Sequence, residues 1–261
     1  MIFLKTDEEI ELLRESNLLL GKAMGEVAKV VKPGVSTNQL DKVFYEYIGD
    51  NGAVPGFLNY GGFPKSLCTS VNDKVVHGIP SDDDILRDGD IVSCDGGCIL
   101  KGFNSDSAYT FPVGEVSPEV MKLLRTTKES LFKGIEMAVA GRRIGDIGYA
   151  VQSYCEERGY SVVRELVGHG VGRNLHEDPE VPNYGRRGNG VVLKKGMTIA
   201  IEPMICLGRR HLIFENDGWT TRTADRKPAA HFELSVAVGK DKADILSTFK
   251  YIEEVLGDRA I

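Results

Sequence analysis

Leu86-Arg87-Asp88-Gly89-Asp90-Ile91-Val92-Ser93-Cys94-Asp95 and Leu193-Lys194-Lys195-Gly196-Met197-Thr198-Ile199-Ala200-Ile201-Glu202 are two versions of one pattern: leucine, glycine three residues on, an apolar strand-like run and a terminal carboxylate. They are separated by 107 residues at every matched position. Working outward, Leu40, Val43, Phe44, Tyr47, Ile48 and Gly52 are answered at the same offset by Ile147, Ala150, Val151, Tyr154, Cys155 and Gly159, and Gly34 by Gly141. One matched glycine among 30 means little. An offset held across helix, turn and strand reads as an α+β unit used twice, roughly over 34–95 and 141–202. The two copies are expected to pack on a shared core in a single domain, 1–261. Asp95 and Glu202, which end equivalent strands, are then expected to face one another across a pseudo-two-fold axis.

The helices announce their ends. Thr6-x-x-Glu9 is a capping box, in which each side chain satisfies the other residue's free backbone N–H. Ile10, Leu13, Leu20, Met24, Val27 and Val31 then recur at helical spacing until Pro33-Gly34. A second helix opens at Ser36-x-x-Gln39 and ends near Gly52. Ser117-Pro118-Glu119 starts a third, with N-cap, proline at the first helical position and an acid in the first turn. Its apolar face is Val120, Leu123, Leu124, Leu131 and Ile135, and Gly141 is expected to close it.

Composition excludes several classes. With 42% apolar and 27% charged residues and a net charge of −6, the chain is an ordinary globular mixture. No basic stripe points to direct nucleic-acid binding. Met1-Ile2-Phe3-Leu4-Lys5-Thr6-Asp7 has neither the basic region nor the long apolar stretch of a signal peptide, and no run approaches a membrane span. Five cysteines, odd in number and without a CxxC pair, suit small buried residues in a reducing compartment, so a cytoplasmic location is expected.

Three acids stand inside apolar strand-like runs: Asp95, Glu202 in Ile199-Ala200-Ile201-Glu202-Pro203, and Glu233 in His231-Phe232-Glu233-Leu234. A fourth, Asp106, lies eleven residues after Asp95, beyond Gly102, at a distance that suits a strand, a turn and a return strand bringing the two aspartates side by side. A buried carboxylate costs several kcal/mol unless compensated, and clustered carboxylates repel. No basic residue adjoins any of the three in its strand, so a divalent metal is the economical compensator. Each acid alone reads as an outward-facing strand position; one per repeat at equivalent places reads as a metal site.

Of five histidines, His169 and His176 share Gly168-His169-Gly170-Val171-Gly172-Arg173-Asn174-Leu175-His176, where glycines allow close approach. His77, in Val76-His77-Gly78-Ile79-Pro80, is weaker alone. His211 and His231 are read as ordinary structural histidines. Carboxylate ligands with one or two imidazoles and no thiolates disfavour structural zinc of the cysteine type. They suit manganese, iron, cobalt or zinc, often in pairs that hold a hydroxide and clamp a tetrahedral oxyanion. A hydrolase follows.

At these residues the sequence resembles the methionine aminopeptidases. Their ligand order Asp, Asp, His, Glu, Glu falls on Asp95, Asp106, His169, Glu202 and Glu233, in the settings Asp95-x-Gly97, Asn104-Ser105-Asp106, Gly168-His169-Gly170-Val171-Gly172, Ile201-Glu202-Pro203 and Phe232-Glu233. The resemblance runs from the first helix through Glu233 and implies the pita-bread fold, two related halves around a metal cleft. It implies two divalent metal ions (cobalt, manganese, iron or zinc), with Asp106 and Glu233 bridging them, Asp95 completing one and His169 with Glu202 the other. Glu202 would also be general base, His176 would contact the substrate carbonyl and tetrahedral intermediate, and His77 the scissile-bond nitrogen. A methionine pocket would be formed by Phe57, Tyr60, Phe63, Cys68, Leu175 and Trp219; the glycine-rich Asn59-Tyr60-Gly61-Gly62-Phe63-Pro64 looks like a binding loop. The reaction implied is removal of the initiator methionine ahead of a small second residue, through a metal-bridged hydroxide attacking the scissile carbonyl. The partners implied are N-termini of nascent polypeptides and, transiently, the ribosome, with the enzyme a monomer. With no large insertion between Glu202 and Glu233 and no zinc-finger or basic extension, the chain resembles the short bacterial type I form. Two other readings stand beside this one: a proline-specific peptidase of the same fold, which usually carries a large extra N-terminal domain, and a metal-free relative that only binds peptides or ribosomes.

Overall fold

Local signals at the first helix become local structure. In the computed structural model, which describes residues 1–261, helix α1 runs Asp7–Val30, and its capping box is closed: the Glu9 N–H donates to Thr6 Oγ1 and the Thr6 N–H to Glu9 Oε2, each at 3.2 Å. Helix α2 (Thr37–Asp50) starts at Ser36, whose Oγ accepts from the Gln39 N–H, and buries Leu40, Phe44 and Ile48. Helix α3 (Pro118–Ile135) starts at Ser117 as expected but stops well before Gly141. Beyond Ile135 the Met137 and Ala138 N–H groups turn to carbonyls three residues back, and the Ala140 N–H donates to Gly239 O at 3.0 Å, so a tertiary contact draws the chain off the helix. Helices α4 (Ile144–Glu156) and α5 (Lys250–Leu256) complete the set. None is long and apolar enough to cross a membrane.

Nine strands form the central sheet: β1 (Val54–Pro55), β2 (Leu67–Val71), β3 (Ile91–Leu100), β4 (Phe103–Pro112), β5 (Gly168–Gly170), β6 (Glu177–Val181), β7 (Thr198–Ile201), β8 (Glu233–Ala237) and β9 (Asp244–Ile245). Their order is β1-β3-β4-β8-β7-β5-β6, with β2 on β3 and β9 on β8, and every pairing is antiparallel. The long hairpin β3–β4 turns on two residues, Lys101 and Gly102, both at positive φ (52° and 79°), the geometry that matches strand twist. This tight turn sets the register: Asp95 faces Ala108 and Asp106 faces Gly97. The two aspartates are therefore neighbours on one face of the hairpin, as the spacing suggested, in a diagonal register.

The halves repeat one another in detail. Gly34 and Gly141 both have φ 90°, and Gly89 and Gly196 have 89° and 90°. The Gly34 N–H donates to Leu86 O at 2.8 Å and the Gly141 N–H to Leu193 O at 2.9 Å. Isolated bridges join Ser36 to Ile85 and Arg143 to Val192. Each correspondence keeps the sequence offset. Strand β8 lies between β4 of the first half and β7 of the second, pairing Glu233 with Ala108 and Leu234 with Ile201. One continuous apolar core runs under both halves, from Leu20, Phe44 and Leu67 through Tyr109 and Leu124 to Val151, Ile199, Phe232 and Val236.

Candidate metal centre and the apolar recess beside it

Strand ends from both halves open onto one cavity of about 190 Å³. Its wall holds Asp95, Asp106, His169, Glu202 and Glu233, together with His77, His176, Phe57, Tyr60, Phe63, Cys68, Leu175 and Trp219. Every residue singled out in the sequence thus lies on the same cavity. No lysine or arginine lines it.

The five donors are set by the sheet. Asp95 and Asp106 come from β3 and β4, His169 from β5, Glu202 from the end of β7 and Glu233 from the start of β8. Asp106, His169 and Glu233 each offer a donor atom within 4.8 Å of the others. His169 Nε2 lies 3.5 Å from Asp106 Oδ2 and 3.5 Å from Glu202 Oε1. On the far side of the ring, Nδ1 is 2.9 Å from Gly170 O, so it carries the hydrogen and donates, leaving the Nε2 lone pair aimed at the acids. Backbone carbonyls are held in turn: Ser235 Oγ donates to Asp106 O at 3.0 Å, Ser107 Oγ to Glu233 O at 2.9 Å and Asn183 Nδ2 to Glu202 O at 2.9 Å.

Three of the four acids carry an oxygen without a partner. Asp95 Oδ1, Asp106 Oδ1 and Glu233 Oε1 are buried with no hydrogen-bond partner. Asp41 shows the contrast: equally buried, it accepts from the Ser66 N–H, the Ser66 hydroxyl and the Leu67 N–H. Burial first, then the charge of neighbouring acids, holds Asp95, Glu202 and Glu233 well above the ordinary carboxylate range, and burial takes Asp106 to about 8. Burial, with His176 as a further cause, takes His77 down to about 4, and burial pushes His169 below its usual value. Oxygen-rich, cation-free and ringed by one imidazole whose lone pair faces inward, this set fits a divalent metal.

These shifts have a sign that can be measured on metal-free protein. An acid with a raised folded pKa keeps a proton that the unfolded chain has already lost, so stability falls as pH rises through the interval between the two values. The buried histidines have the opposite sense: their lowered pKa costs stability as pH falls below about 6.5, and they are neutral in both states above it. From about pH 6.5 to 8 only the acids act. Chelator-stripped protein is expected to melt at a progressively lower temperature across that window, and added manganese or cobalt to raise Tm more at pH 8 than at pH 6.5. A Tm that climbs through the window would show the acids to be compensated by something else.

The recess beside the acids is apolar. Phe57, Phe63, Cys68 and Leu175 pack as one cluster, with Trp219 against it and edge-on to Phe63 at 5.2 Å between ring centroids. Gly97 makes room: a Cβ there would stand 2.6 Å from Ser105 O and 3.0 Å from the Phe57 ring. Tyr60 stands at the mouth, its hydroxyl 2.7 Å from His176 Nδ1. The His176 ring lies over His169, 4.1 Å between centroids. His77 is held at φ 57°, uncommon for a non-glycine residue, and the following Gly78 fits only because it has no side chain; a Cβ would fall 2.1 Å from Thr69 O.

Two cavity neighbours escaped the sequence reading. His231, read as an ordinary histidine, is 1% exposed, has no partner on either ring nitrogen and places Nε2 3.9 Å from Glu202 Oε2. Its one signal was position, two residues before Glu233. Asn183, which holds the Glu202 carbonyl, gave none. His211 does not reach the cavity.

Fold and site together define a metal-dependent peptidase: residues 11–240 match the model of metallopeptidase family M24, and the chain belongs to that family, within its methionine aminopeptidase branch. The methionine aminopeptidase of Clostridium acetobutylicum is 48% identical over 247 residues, covering 95% of this chain and 99% of that one. A crystal structure of methionine aminopeptidase from Rickettsia prowazekii superposes with a TM-score of 0.93 at 42% identity, over 95% of this chain and 100% of that one. The Xaa-Pro dipeptidase of Bacillus anthracis shares the pita-bread fold at a TM-score of 0.76 and 22% identity, but this chain spans only 62% of it.

Proposed function

We propose that this chain hydrolyses the peptide bond after the initiator methionine of newly made polypeptides, with preference for a small second residue. The observation that carries the reading is the cluster of buried acids with unpartnered oxygens directly beside an aromatic-lined recess. Asp95, Asp106, His169, Glu202 and Glu233 would hold the two divalent ions, drawn from cobalt, manganese, iron or zinc, with Asp106 and Glu233 as the proposed shared ligands. Bound there, divalent ions supply the positive charge that acidifies a water and polarises the scissile carbonyl.

The chain's own side chains do the rest. Glu202 takes the proton of the attacking water and passes it on toward the leaving nitrogen. The Tyr60 hydroxyl lies 2.7 Å from His176 Nδ1; in this reading it donates there, leaving Nε2–H to donate to the carbonyl oxygen as its charge grows. His77, neutral at pH 7, sits on the nitrogen side of the scissile bond. Phe57, Tyr60, Phe63, Cys68, Leu175 and Trp219 enclose the methionine side chain, whose flexible, polarizable thioether suits aromatic walls. In this reading a cytoplasmic monomer works on nascent N-termini, touches the ribosome only transiently and binds neither nucleic acid nor membrane. Its single catalytic domain is built from two copies of one unit, 34–95 and 141–202.

The test is mass spectrometry of peptide digests across several added metals. Methionine is expected to be released from Met-Ala-Ser, while Xaa-Pro peptides survive. Robust Xaa-Pro hydrolysis without methionine release would overturn the substrate, and absence of both metal binding and hydrolysis would leave a peptide-binding relative.

A further inference from the structure

We infer that the buried ion pair between Lys5, on the arm before α1, and Glu177 is a positioning device for His176; the inference rests on the role proposed above for that histidine. Lys5 Nζ lies 2.5 Å from Glu177 Oε2, with the two side chains only 5% and 4% exposed. Neither lines the metal cavity. Glu177 follows His176 directly, and its other oxygen accepts from the Asn174 N–H at 3.1 Å, tying down the turn that presents the imidazole. Lys5 is fixed independently, because its backbone N–H donates to Gly196 O at 2.7 Å, in the turn leading into β7 and Glu202. The pair thus connects the His176 turn to the base of the strand that carries Glu202.

The packing is built around this contact. A Cβ at Gly172 would stand 2.5 Å from Lys5 Cε and 2.6 Å from Glu177 Oε1, so glycine reserves the space. The Gly172 carbonyl in turn accepts from the Asn104 N–H at 2.8 Å, two residues before Asp106. A buried ion pair contributes little stability relative to an apolar pair of the same volume. What it supplies here is a fixed direction for one turn, whose histidine must meet the substrate carbonyl within fractions of an ångström.

A double-mutant cycle tests this on the metal-loaded full chain, with Met-Ala-Ser as substrate. Glu177→Gln is expected to lower kcat about tenfold or more, with KM and metal content changed less than about twofold, a loss of the size that small misplacements cause. In the His176→Ala background the same substitution is expected to change kcat by less than about twofold, because the residue it positions is gone. Lys5→Met should match Glu177→Gln, and the Lys5→Met/Glu177→Gln chain, which leaves no charge buried alone, should be no slower than either single variant while remaining folded by circular dichroism. Equal losses in both backgrounds, or a Glu177→Gln chain with unchanged kcat beside a His176→Ala chain that is inactive, would overturn the positioning role alone. A His176→Ala chain with full turnover would instead overturn the role of His176.

Discussion

Asp106→Asn is expected to lower metal affinity about a thousandfold and, in the same protein stripped of metal, to raise Tm at pH 8. The two effects have one origin. Asp106 is buried among Asp95, Glu202 and Glu233, one of its oxygens has no partner, and the other is 3.5 Å from His169 Nε2. A unit charge at about 4 Å from another, with an effective dielectric near 20, interacts by about 4 kcal/mol, which is roughly three decades of affinity. That attraction is lost to a bound cation when the carboxylate becomes an amide. Without metal, the same substitution removes a repelling charge and adds a donor facing three acceptors, so the metal-free fold gains. Calorimetric titration with manganese and thermal melts of the stripped protein read the two signs separately. Undiminished affinity would contradict the proposed bridging position.

His176→Ala is expected to leave the metals in place and lower kcat by about a hundred- to a thousandfold, the range found when one donor to a developing oxyanion is removed. The ring sits over His169, with its Nδ1 engaged by Tyr60, and it is not among the residues whose donor atoms cluster with Asp106. Metal analysis of the variant beside steady-state kinetics separates the roles. Loss of both ions from the His176→Ala chain would reassign it as a ligand.

The constant offset was legible because it runs through helix, turn and strand, and matched hydrogen bonds keep it, Gly34 to Leu86 and Gly141 to Leu193. Caps were legible because Thr6, Ser36 and Ser117 act within three residues of themselves. What depends on distant contacts was harder to read. Gly141, expected to end α3, instead repeats the turn geometry of Gly34, and the helix ends earlier because Ala140 is drawn to Gly239. Spacing brought the two aspartates side by side on neighbouring strands but could not give their register. Lys101 at positive φ makes the turn two residues long and shifts the pair to a diagonal. The cavity residues stood out where an acid or glycine broke an apolar run. His231 broke nothing unusual, and a histidine in a strand looks the same whether its nitrogens are satisfied or, as here, bare.

Strand β8 comes late in the chain yet lies in the middle of the sheet, seamed to β4 on one side and β7 on the other. Without it, Asp95 and Asp106 on one side and His169 and Glu202 on the other lose the strand that pairs with both, and keep only the shared core and the link from Asn104 to Gly172. A chain that ends before Glu233 is therefore expected to lack both one of the clustered donors and the strand that holds the two halves in one sheet, and so to hold divalent ions poorly.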